Sequence, residues 1–96
     1  MEVLTGEFRE ETIRYALISD NGILFNTSDV CRALHINEQS LNGIFSKECL
    51  NIAGIIEIAH LKDRINYSFI DWIETEFFGY DIFTPVDSNC GNWKSD

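Results

Sequence analysis

The sequence predicts an α+β fold in one domain, and three features carry that prediction. Residues 12–18 (TIRYALI) are rich in β-formers and lead through Ser19-Asp20-Asn21-Gly22 into Ile23-Leu24-Phe25, the pattern of a hairpin. Residues 25–44 (FNTSDVCRALHINEQSLNGI) hold two short helix signals in tandem, with apolar residues at Val30, Cys31, Leu34, Ile36, Leu41 and Ile44. Residues 69–78 place Phe69, Ile70, Trp72, Ile73 and Phe77 on one helical arc, with Gly79 as the stop.

In chain order, residues 2–8 add an edge strand in front of the first hairpin, whose Asn21-Gly22 pair favours a type I′ turn. At Asn26-Thr27-Ser28-Asp29 a hydroxyl or amide can accept the free N–H groups of a first helical turn, and Asp29 lies at the positive end of the dipole. That helix ends near Leu34 or His35. Asn37 offers a second cap for a helix reaching Phe45 or Ser46, with Leu41, Ile44 and Phe45 as its stripe, so residues 27–46 read as a helix-turn-helix-like pair. Gly54 then precedes Ile55–Ala59, read as a short strand that returns after Lys62-Asp63 as Arg64–Tyr67, a second hairpin. Asn66 or Ser68 caps the last helix, whose arc is broken twice: Glu76 falls inside it and Phe78 on its polar side. Tyr80–Pro85 reads as extended, and 87–96 as a polar tail expected to be flexible, which gives a single domain over 1–86.

Composition narrows the function. With 45% hydrophobic and 12% aromatic residues, a chain of 96 can bury one modest core. No apolar run is long enough to cross a bilayer, and Met1-Glu2-Val3 opens without a basic or apolar leader, so a soluble, cytoplasmic protein is expected. Sixteen acidic residues against seven basic ones leave a net charge of −9. Such a chain is repelled by a nucleic-acid duplex unless its cations gather on one face. In sequence they are scattered, and from Ser68 to Asp87 there is none, while Asp71, Glu74, Glu76, Asp81 and Asp87 all lie there. This is either a solvated surface or one that meets a basic partner protein. Cys31, Cys49 and Cys90 are odd in number and form no CxxC pair, against a disulfide framework or a zinc finger; Cys31 reads as core packing.

For the helix pair, the position after Leu34 is where a helix-turn-helix chain turns left-handed and usually carries Gly; His35 stands there instead. Its outward residues would present Gln39, Ser40 and Asn42 to bases, with Arg32 and Lys47 for phosphates. The alternative is a two-helix corner with a solvated polar face. No phosphate-binding loop, zinc-protease or nucleophile-elbow motif is present, so neither enzyme chemistry nor a cofactor is expected. Asp71 and Glu74 share a helix face, a spacing more typical of solvated acids than of a metal site.

The run Ile23–Leu34 (ILFNTSDVCRAL) resembles the BRO N-terminal domain of phage antirepressors and baculovirus BRO proteins, in which a hairpin ending in an aromatic residue leads into a D-V-C-x-A-L helix. Phe69-Ile70-Asp71-Trp72-Ile73 is similar in place and order to the family's later aromatic-Trp helix, so the likeness spans roughly residues 12 to 80. Two departures stand out: acids replace the basic residues of the DNA-binding members, and Phe77-Phe78-Gly79 replaces the family's Leu-Pro ending. The resemblance implies the fold more directly than DNA binding. The expected function is that of a small regulatory protein of a phage or mobile element, an antirepressor or inhibitor. It would bind a basic protein partner through Asp71, Glu74, Glu76, Phe78 and Tyr80, with a homodimer as a further possibility. The alternative is sequence-specific DNA binding through Arg32, Gln39, Ser40, Asn42 and Lys47.

Overall fold

In a computed structural model the described residues are 2–18, 21–37, 39, 49–60 and 67–86. Four strands form one antiparallel sheet in the order β1-β2-β3-β4: β1 Glu2–Phe8, β2 Glu11–Ile18, β3 Gly22–Asn26 and β4 Cys49–Leu50. Three helices complete the described fold, α1 Thr27–Leu34, α2 Ile52–Ala59 and α3 Tyr67–Glu76. The α+β class is therefore as the sequence predicts.

Alternation along the strands sends Ile13, Ile23 and Phe25 to one face, where they join Leu50 and residues of all three helices in the main core. The other face carries Ala16, Leu24 and Cys49, with Val3, Ile18 and Val86 against them. Aromatic rings knit the main core. Phe77 meets Phe25 edge-on at 5.0 Å and Tyr15 at 5.0 Å, while Phe8 meets Phe69 at 4.9 Å. Gly6 in β1 serves close approach, because a Cβ there would lie 3.2 Å from the Trp72 ring.

Helix α1 starts as expected, the Asn26 side chain accepting the Asp29 N–H at 2.9 Å. It also stops as expected: His35 is left-handed (φ 58°, ψ 42°), and the Ile36 N–H reaches back to the Cys31 carbonyl at 2.9 Å. Asp29 does more than meet a dipole. Its carboxylate, almost fully buried, accepts from the Arg14 backbone N–H (2.9 Å), Nε (2.8 Å) and Nη2 (3.0 Å), which rivets α1 to β2. Burial pushes this carboxyl's pKa up, but the Arg14 hydrogen bonds and the charges of Arg14 and Arg32 outweigh it, and the net shift is downward.

Several expectations are corrected. Residues 55–59 are not a strand but belong to α2, capped by Asn51, whose side chain accepts the Gly54 N–H at 2.8 Å. The strand in this region is β4, just before it, so no hairpin runs from 55 to 67; Arg64 to Asn66 lie outside the described residues and Tyr67 opens α3. Ser68 lies inside α3 rather than capping it. Left-handed residues in a turn fall not at Asn21-Gly22 but at Arg9 (φ 50°) and Glu10 (φ 72°). The register explains why. Phe8 pairs with Glu11 and leaves two loop residues, the length for a primed turn, whereas Ile18 pairs with Gly22 and leaves three. Cys31 is buried as core packing and is not in a disulfide. Cys49 is buried and disulfide-bonded, a single bond rather than the framework that the odd count argues against. The second helix of the expected pair, apart from Asn37 and Gln39, and the tail 87–96 lie outside the described residues. No helix among the described residues is long and apolar enough to cross a membrane.

Candidate functional site

Helix α3 ends in a change of side. Phe77 continues the helical bonding, its N–H reaching the Ile73 carbonyl at 3.0 Å, and its ring is buried. Gly79 then turns left-handed (φ 93°), and Tyr80 N–H bonds back to the Phe77 carbonyl at 3.3 Å. Phe78, between them, has no core to enter and stands 89% exposed.

The chain after Tyr80 is not the expected extended segment. It forms a turned strap held by partners distant in sequence. Asp81 N–H reaches the Asn21 carbonyl at 2.7 Å, and Ala53 N–H reaches the Ile82 carbonyl at 3.1 Å. The buried Thr84 hydroxyl accepts from Ile23 N–H (3.1 Å) and donates to the Asp81 carbonyl (2.8 Å). Asn51 ties the strap to α2, because the side chain that caps that helix also donates to the Thr84 carbonyl at 3.0 Å. The strap thereby holds Ile82 and Phe83 out, 45% and 75% exposed.

Between α2, the end of α3 and the strap lies a groove of about 330 Å³. Ile52 and Ile56 form the α2 wall, Ile73 and Phe77 the floor, and Phe78, Tyr80 and Ile82 the opposite lip, with Glu74 at the edge. Of the residues expected to bind a partner, Glu74, Phe78 and Tyr80 therefore come together here. Asp71 is exposed one turn earlier on the same side of α3, at i, i+3 from Glu74, while Glu76 is exposed but does not line the groove. Sequence reasoning missed Ile52, Ile56, Ile82 and Phe83. The signal available was Asn51, a helix cap immediately before an isoleucine-rich run.

The charges divide sharply. The cations among the described residues are Arg9, Arg14 and Arg32, and each is engaged. Arg9 donates to Ser68 Oγ (2.9 Å), Arg14 grips Asp29, and Arg32 pairs with Glu11 (3.0 Å) and Asp29 (3.3 Å). On α3 and the strap, none of Asp71, Glu74, Glu76 or Asp81 is ion-paired among the described residues.

For the alternative DNA surface, Arg32 spends its guanidinium on Glu11, Asp29 and the Thr12 carbonyl (2.9 Å) rather than offering it to a phosphate. Gln39 is exposed, its N–H bonded to the Asn37 side chain at 3.0 Å. Ser40, Asn42 and Lys47 lie outside the described residues. Among the described residues no cluster of His, Cys, Asp and Glu could hold a metal ion. Comparison with protein-family models, curated proteins and solved structures gives no match to the chain.

Proposed function

We propose that the chain is a non-enzymatic regulatory protein that works by stoichiometric binding of a protein partner with a basic surface. The observation that carries this reading is Phe78, 89% exposed at the end of a helix whose acids have no ion-pair partner among the described residues. An exposed ring beside an apolar groove is unfavourable in water unless something covers it, and the acids around it favour a cationic cover. A protein surface built to hold nucleic acid has that charge, so the partner class is a repressor or a nucleic-acid-handling enzyme of the host. In line with the resemblance to the BRO N-terminal domain, the role is that of an antirepressor or inhibitor of a phage or mobile element. Asp71, Glu74, Glu76, Phe78 and Tyr80 are its binding residues. Sequence-specific DNA binding is the weaker reading, since Arg32 is already neutralised.

The test pairs capture with reconstitution. A host protein retained by the wild type and lost by the Asp71→Lys/Glu74→Lys/Phe78→Ala variant is purified and titrated against both. Binding weakened by about a hundredfold or more in the variant supports the reading. A partner indifferent to the variant contradicts it, as does tight duplex binding by the wild type with a steep salt dependence.

A further inference from the structure

We propose that the groove between α2 and the end of α3 receives one face of an amphipathic basic helix supplied by the partner, an inference that rests on the protein-binding reading above. Three features of the groove select this occupant. Its wall and floor are apolar side chains, Ile52 and Ile56 on α2 with Ile73 and Phe77 beneath, so it accepts apolar anchors. The main chain along its two helical walls is bonded within the helices. Ile52 to Ala59 and Tyr67 to Glu76 are helical, the Ile82 carbonyl accepts from Ala53, and Tyr80 N–H is bonded to Phe77. An extended peptide would find no row of free donors and acceptors to pair with, whereas a helix brings its own backbone bonds and binds by side chains alone.

Charge supplies the third feature. Glu74 lies at the groove's edge one turn before Phe78, and Asp71 one turn before that, both unpaired among the described residues. A lysine or arginine three or four positions from an apolar anchor on the occupant would reach them. A second copy of this chain, carrying a net charge of −9, would instead bring acids against acids. At the lip, Gly79 has nothing within 4 Å of its Cβ position, which leaves room for close approach of the occupant's backbone.

The experiment uses a fluorescent, end-capped peptide of about 18 residues with Leu at i, i+3, i+4 and i+7, a few Lys flanking that face and Ala elsewhere to support the helix. Two controls replace all Leu by Ser, or all Lys by Glu. Anisotropy at about physiological ionic strength, where long-range surface attraction is screened, reads binding to the full chain. The expected result is that the Leu/Lys helix binds at least about tenfold more tightly than either control. Phe78→Ala and Glu74→Lys should each weaken it about tenfold, and Asp71→Lys less. Equal binding of the Leu/Lys and Ser/Lys peptides, unchanged in Phe78→Ala but weakened by Glu74→Lys and Asp71→Lys, would overturn the groove while leaving an acidic interface standing. Failure of both basic peptides to bind would remove the groove and count against the acidic-interface reading as well.

Discussion

The junction of α1 with β2 and the end of α3 use the same residue types to opposite ends. At the first, a carboxylate is buried and matched: Asp29 takes three hydrogen bonds from Arg14 and a fourth contact from Arg32. At the second, Asp71, Glu74 and Glu76 are exposed with no ion pair among the described residues, and Phe78 stands in solvent just after them. The fold could have spread its few cations evenly. Of the described ones, Arg14 and Arg32 are spent between α1 and β2, while Arg9 reaches the Ser68 hydroxyl at the start of α3 and pairs with none of its acids among the described residues. One region is stability and the other is available surface, and substitutions should tell them apart.

The largest contrast lies between neighbours. Phe77→Ala removes a ring packed against Phe25, Tyr15 and Trp72 and should destabilise by about 4 kcal/mol, a large part of what a domain this size possesses. Phe78→Ala should change stability by no more than about 0.5 kcal/mol in the same urea titration. Equal losses would break the comparison outright.

Asp29→Asn comes next, with a loss of about 2 kcal/mol expected from removing a buried carboxylate from its half-buried Arg14 partner, against about 0.5 kcal/mol or less for Glu74→Gln. The acid limb sharpens this. Because the Asp29 pKa is lowered on folding, the unfolded chain binds the proton more readily, so stability rises with pH across the interval between the two values. The contribution is complete above the ordinary carboxyl range of about 4 and is lost as pH falls through the folded value. Melting followed from pH 6 downward should show a shallower acid decline in Asp29→Asn than in wild type; parallel curves would remove the clamp from the account.

Two smaller effects concern backbone shape. Gly79→Ala forces a side chain to φ 93° and should cost about 1 kcal/mol despite open space around it. His35→Gly should move the other way, stabilising by roughly 0.5 kcal/mol by relieving a left-handed histidine. Both are read from thermal midpoints.

Local chemistry was legible in the sequence. The Asn26 cap, the left-handed His35, the stop at Gly79 and the polar-side position of Phe78 each follow from a few adjacent residues, and each is found. What depends on distant partners was not. Ile55–Ala59 satisfies strand and helix patterns alike, and Ile52, Gly54, Ile55, Ile58 and Ala59, all buried, settle it only after packing. Asp29 reads locally as a dipole charge, because its partner Arg14 lies fifteen residues upstream across a hairpin. The strap at Tyr80–Thr84 is shaped by Asn21, Ile23, Asn51 and Ala53, none near it in sequence. Half of the candidate site was visible for the same reason. Glu74, Phe78 and Tyr80 share one helix end, whereas Ile52 and Ile56 reach the groove from another element.

The proposed working surface is the α3 face and not the α1 region. Amide chemical-shift mapping of the labelled chain tests it most directly, with the Leu/Lys helix and a DNA duplex added in separate titrations. The helix should perturb residues around Ile52, Ile56, Glu74, Phe78 and Ile82, and the duplex should perturb nothing at matched concentration. Duplex-induced shifts clustered at Arg32 to Gln39, with the α3 face silent to the helix, would contradict it.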